Sequence, residues 1–139
     1  ENAARDRRRI ALIVYEHWKQ IPKSVWPWRY FSPQEMACKG TGKVKAAVTL
    51  LNRLDVLRDR FGAALDVLSG YRSPYHNAVV GGAPLSRHVI GDAVDISTVD
   101  LDREYLERLA RDEGFTGFGY YETFLHIDLG RPRKWGLNV

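Results

Sequence analysis

The segments SRHVIGDAVDI (residues 86–96) and FLHID (residues 124–128) hold the residues of this chain best suited to chemistry. In the first, His88 and Asp95 stand on either side of Gly91 inside an otherwise apolar run. A continuous helix would set them on one face but about 10.5 Å apart along the axis, too far for one ion or hydrogen bond to join them. Gly91 would also weaken that helix by roughly 1 kcal/mol relative to alanine. The other reading is a turn at 90–92 and then a strand over 93–97. In that strand Asp95 points one way while Val94 and Ile96 point into the core. Such a turn folds His88 back toward Asp95. A histidine and a carboxylate joined this way suit a metal site or an acid–base pair.

A second pair lies in the strand expected at Phe124–Leu129. Phe124, His126 and Asp128 share one face, and the apolar Leu125, Ile127 and Leu129 share the other. The first face is therefore the accessible or site-lining one. His88, Asp95 and His126 together match a catalytic zinc site, in which three protein ligands leave a fourth position to water. Zinc lowers the pKa of that water to about 7. The competing reading makes each histidine a core residue with a satisfied hydrogen bond. Metals other than zinc stay open on chemistry alone.

The elements that must position these residues follow from patterning. Residues 2–20 read as an amphipathic helix, with Ile10, Ile13, Val14 and Trp18 at helical spacing. Residues 19–33 form a connector rich in proline and aromatic residues. Ser32, Pro33 and Glu35 combine an N-cap, a proline at the first helical position and a capping-box acid, so a short helix follows. Over 43–61 an apolar stripe of Val44, Ala47, Val48, Leu51, Leu54 and Phe61 predicts a long helix ended by Gly62. Residues 65–69 read as a strand, 70–74 as a turn into a short helix, and 80–84 as a loop. A helix is expected over 101–113, capped by Asp100 or Ser97. Residues 114–122 read as a glycine–tyrosine loop, and the strand carrying His126 as the last.

With 139 residues the chain is read as one compact domain, large enough to bury a core without disulfides. The single cysteine, Cys38, excludes an intramolecular disulfide and a four-cysteine zinc site, and is read as a small buried hydrophobe. No apolar run approaches the roughly 20 residues of a membrane span. The arginines before Ile10 resemble a signal-peptide start, but the apolar part ends at Val14 and no small-residue cleavage site follows. The chain opens on Glu1 rather than methionine, so a leader or tag already removed is compatible with it. Net charge is +4, and Arg5, Arg7, Arg8 and Arg9 cluster. That balance suits an anionic partner, whether nucleic acid, membrane or cell wall, but taken alone such a charge run is more often a solvated face. No nucleic-acid motif accompanies it, so no nucleic-acid partner is expected.

The run SGYRSPYHNAVVGGAPLSRHVIGDAVDI, with GFGYYETFLHIDLGRPRKW downstream, resembles the zinc D-Ala-D-Ala carboxypeptidase family. That family includes peptidoglycan endopeptidases and phage endolysins and shares its fold with hedgehog-type domains. The SGYRS turn, the SxHxxGxAxD motif and the HxD strand carry the resemblance, and FSPQEMACKG looks like the N-terminal segment of the same branch. Similarity covers about residues 30–136. It implies an α+β fold, a small, mostly antiparallel sheet that carries a zinc site and is flanked by helices. It divides the chain into an N-terminal helix and connector (1–29) and a peptidase-like domain (30–139).

The resemblance makes His88, Asp95 and His126 the ligands of one zinc ion. Arg72 becomes the cation that holds a substrate carboxylate or stabilises an oxyanion. Ser86 orients a ligand or caps its turn. Many relatives place an acid three residues before the last histidine, where this chain has Thr123. Glu122 or Asp128 is then the general base, with Glu122 preferred for the chemistry and Asp128 for support. Tyr71, His76 and Tyr120 are read as edge or substrate-binding residues, Tyr121 as a substrate contact or packing residue, and Trp26, Trp28 and Trp135 as packing residues. The implied activity is hydrolysis of peptidoglycan stem peptides or crosslinks by a monomer acting at the cell wall or periplasm, either phage-encoded or processed. The alternative is a catalytically weak or inactive wall- or partner-binding module on the same fold.

Overall fold

The structure, a computed structural model, describes residues 11–139. Two sheets form. The smaller pairs β1 (Leu12–Tyr15) antiparallel with β2 (Val44–Ala47). The larger has the order β3 (Val67–Ser69), β4 (Ala93–Ser97), β6 (Phe124–Asp128), β5 (Gly117–Tyr120), β7 (Arg133–Gly136), and only the β5–β7 pair is parallel. Helices α1 (Pro33–Met36), α2 (Val48–Phe61), α3 (Pro74–Val79), α4 (Arg87–Ile90) and α5 (Arg103–Asp112) flank the sheets. This is the expected α+β fold with a mostly antiparallel sheet. No helix among the described residues is long and apolar enough to cross a membrane.

The large sheet is two-faced because β4 and β6 alternate in step. Val94 lies opposite Ile127 and Ile96 opposite Leu125, and all four are fully buried. Leu50, Leu51, Leu54 and Leu57 of α2 and Leu106, Leu109 and Ala110 of α5 complete that core. Each such leucine stabilises the fold by about 1.5–3 kcal/mol through burial. On the opposite face Asp95 is in register with His126, and Ala93 with Asp128. One strand pair thus builds the core and the polar face together.

Several expectations need correction. The part of the expected 2–20 helix that is described is strand β1 followed by a single 3-10 turn, Trp18–Gln20; Ile10 lies outside the described residues. The helix expected from residue 43 starts only at Val48. Lys43 to Ala46 alternates charged and apolar residues, a strand period, and β1 supplies the partner that holds it extended. Asp102, rather than Asp100 or Ser97, caps α5, accepting from Tyr105 N–H at 3.0 Å. Asp100 instead turns the chain with φ +61°. The expected glycine–tyrosine loop contains strand β5, and the strand carrying His126 is followed by β7.

Gly91 ends α4 at φ +93°, a conformation costly for residues with a Cβ, and reverses the chain into β4. It is also clamped to β2, since Ala47 N–H donates to its carbonyl at 2.8 Å. A Cβ at Gly91 would lie 2.6 Å from the Lys45 carbonyl oxygen, whereas one at Gly62 (φ +80°) meets nothing within 4 Å. Gly62→Ala should cost about 1 kcal/mol of left-handed strain. Gly91→Ala should cost at least about 1 kcal/mol more, from the added backbone collision. Urea unfolding of the two variants checks this, and equal losses would contradict the clamp.

Candidate metal centre

Three elements deliver three donor atoms to one point. α4 supplies His88, β4 supplies Asp95 and β6 supplies His126; all three are buried and could hold one metal ion. His88 Nε2 lies 3.1 Å from Asp95 Oδ1, His126 Nδ1 lies 3.0 Å from the same oxygen, and the two ring nitrogens are 3.2 Å apart. The fold-back of His88 onto Asp95 is the one expected from the Gly91 turn.

The outer hydrogen bonds decide what these nitrogens carry. His88 Nδ1 is 2.7 Å from the Gly70 carbonyl, which can only accept, so Nδ1 bears the proton and Nε2 presents a lone pair. His126 Nε2 is 2.7 Å from Asp128 Oδ2 and donates to it, which leaves the Nδ1 lone pair facing inward. Two lone pairs and a carboxylate oxygen then face one another at contact distance. Three acceptors repel unless a cation or a proton stands among them. Burial alone would raise the Asp95 pKa, but when a proton occupies that space the hydrogen bonds that His126 and His88 then donate hold Asp95 well below the usual carboxylate range. Burial opposes charge on His126, yet Asp128 and Asp95 outweigh it and raise the pKa. Proton and metal ion compete for that lone pair. Two nitrogens and one carboxylate oxygen fit a divalent ion of zinc's kind.

Behind His126 stands a second layer that depends on glycine. In the sheet, Arg133 of β7, Gly117 of β5 and Asp128 of β6 lie in one row; Trp135, Gly119 and His126 lie in the next. A Cβ at Gly117 would fall 2.0 Å from Asp128 Oδ1 and 2.2 Å from an Arg133 nitrogen. A Cβ at Gly119 would fall 2.6 Å from the Trp135 ring. Without side chains, these glycines leave gaps through which β7 reaches across β5. Arg133 grips Asp128 at both oxygens, at 2.9 and 2.7 Å, and Gly130 N–H adds a 2.9 Å bond. Although Asp128 is wholly buried, its hydrogen bonds to His126 and Arg133 keep it well below the usual carboxylate range. The Trp135 ring lies 5.0 Å from that of His126.

The centre opens into a cavity of about 510 Å³. Arg72, Arg87 and Arg133 line it with Tyr121, Phe124 and Trp135. Asp95 is the one carboxylate among the described residues that lines it. Arg72 is held by Ser69 Oγ and Asn77 Oδ1 (3.1 Å each) and by Asp95 Oδ2 (3.2 Å). Arg87 is paired with Asp92.

The peptidase M15 profile matches residues 29–128. The chain belongs to the peptidase M15 family. It is similar to the zinc D-Ala-D-Ala carboxypeptidase of Streptomyces albus G, 35% identical over 106 residues that cover 68% of this chain and 42% of that protein. It thus spans less than half the length of that relative.

Within this M15 chain the other expected site residues fall in different places. Ser86 lines the cavity and caps α4, accepting from His88 N–H at 3.2 Å. Glu122 is exposed on the β5–β6 turn and is not part of the cavity wall. Tyr71 is buried, 7% exposed. His76 packs against Gly40, and the Tyr120 hydroxyl is bound to Glu107 and Arg111; neither residue lines the cavity. Sequence reasoning missed Arg133, Asn77 and the glycine gaps. The one available signal was glycine at every second residue of GFGY, facing the HxD strand.

Arg133→Met leaves the Asp128 carboxylate buried without its guanidinium. The variant should lose about 3–5 kcal/mol in urea unfolding, the usual result of breaking a buried pair from one side. A loss below about 1 kcal/mol would mean that Arg133 does not neutralise Asp128.

Proposed function

We propose that this M15 chain is a zinc peptidase that hydrolyses peptide bonds in peptidoglycan stem peptides or crosslinks, acting as a monomer at the cell wall. The observation that carries the reading is the convergence of His88, Asp95 and His126 on one point at the base of a cation-lined cavity. Those three residues would hold the ion. Zinc, when bound, supplies an acidified water and a Lewis acid for the scissile carbonyl.

The chain's own residues do the rest. Arg72 is fixed on three sides yet lines the cavity, so its remaining N–H groups are positioned for a substrate carboxylate or for charge developing on the carbonyl oxygen. Ser86 holds the turn that carries His88. Asp128, engaged at both oxygens by His126, Arg133 and Gly130, has the supporting role and keeps the His126 tautomer. Glu122 is the proton carrier in this proposal; its turn adjoins Tyr121, which lines the cavity, and the role requires its side chain to swing inward. The similarity to a D-Ala-D-Ala carboxypeptidase supports the substrate class.

A second reading, a wall-binding module that keeps the metal but not turnover, is favoured by the cavity's lack of a carboxylate other than Asp95 among the described residues. Mass spectrometry of purified peptidoglycan incubated with the chain and zinc separates the two. The peptidase should release new fragments, His126→Ala none, and Glu122→Gln should turn over about 100-fold more slowly. Normal turnover by Glu122→Gln would remove that residue from the role. No release from any wall type would leave the binding module.

A further inference from the structure

Tyr121 lines the cavity and is held at its ring, its backbone and its hydroxyl. Its ring stacks on Phe124, with centroids 4.4 Å apart and planes 9° from parallel. Its N–H donates to the Phe124 carbonyl at 3.1 Å, and its own carbonyl accepts from Arg103 at 3.0 Å. Its hydroxyl oxygen accepts from Trp135 Nε1–H at 2.9 Å. An indole N–H can only donate, so that bond consumes a lone pair of the phenol and leaves the phenolic proton uncommitted to Trp135. Accepting a hydrogen bond also makes the hydroxyl a better donor.

Trp135 is anchored in turn. It lies in the gap at Gly119, its ring 5.0 Å from that of His126 and beneath the Arg133 guanidinium at 4.9 Å. The hydroxyl is therefore indexed to the metal centre through one rigid ring. In the sheet order β3-β4-β6-β5-β7, Arg72 follows β3 and Tyr121 follows β5. The two residues flank the ligand-bearing strands β4 and β6 from opposite sides, and both line the cavity.

We propose that Tyr121 is a catalytic residue whose hydroxyl donates a hydrogen bond to the scissile carbonyl oxygen as negative charge develops there, across from Arg72. This rests on the peptidase reading. The proton stays on the tyrosine throughout. The bond strengthens as the carbonyl oxygen gains charge, and so favours the transition state over the ground state. Trp135 is the positioning residue that aims the hydroxyl.

The test uses the full chain, zinc and a synthetic stem pentapeptide. Tyr121→Phe keeps the stack on Phe124 and removes only the hydroxyl. It should lower kcat about 100-fold with KM and bound zinc unchanged. Trp135→Phe removes the N–H and should lower kcat about 10-fold. In calorimetry Tyr121→Phe should also bind a phosphonate analogue of the peptide about 100-fold more weakly than the unaltered chain does, and the parent peptide equally well. Turnover by Tyr121→Phe within twofold of the unaltered chain, or a loss entirely in KM, overturns the role of Tyr121 and leaves the peptidase reading standing. No turnover by the unaltered chain overturns both.

Discussion

Everything around this site answers one electrostatic demand: two imidazole lone pairs and an aspartate oxygen are buried within 3.2 Å of one another. No arrangement of acceptors alone is stable at that spacing in a water-poor interior, where an unpaired charge costs several kcal/mol. The fold holds the acceptors together from behind. Gly70 fixes His88, Asp128 fixes His126, and Arg72 offsets the second oxygen of Asp95. Each outer bond points a lone pair inward rather than letting it turn away, as is usual for metal-ligating histidines.

The sheet makes that arrangement rigid at little structural expense. β4 and β6 present Val94, Ile96, Leu125 and Ile127 to the helices, so burial of the apolar face locks Asp95 and His126 in register on the other. Slipping that register by one residue would exchange the two faces and expose the core, which is why the positions of Asp95 and His126 are as well determined as the core itself. β5 is the unusual member. Two glycines make it a poor strand in isolation, but they let Arg133 and Trp135 lie across it onto Asp128 and His126. Local strand propensity is given up for a support layer two strands deep.

This division explains how much was legible in the sequence. The Gly91 turn, the inward Val94 and Ile96 and the alternation of the HxD strand are local patterns, readable without knowledge of distant partners. They brought His88, Asp95 and His126 forward as candidates, and the family resemblance supplied the α+β architecture. What was misread depends on partners distant in sequence. Residues 12–15 and 44–47 become strands because they pair with each other, although the apolar spacing of each also suits a helix. Strand β5 was hidden because glycine ordinarily argues against a strand, and its reason for being there, the crossing of Arg133 and Trp135, exists only once β7 docks parallel to it. The cap of α5 falls at Asp102, beyond both expected positions, and Asp100 takes a left-handed turn conformation instead.

The central claim is that the three acceptors form a metal site. Calorimetric titration of the full chain, stripped with a chelator, against zinc measures it most directly, with Asp95→Asn alongside. We expect saturation at one ion per chain and a large loss of affinity in Asp95→Asn, which keeps the shape but removes the anionic ligand. Absence of saturable binding by the unaltered chain, or equal affinity in the two proteins, would contradict the claim.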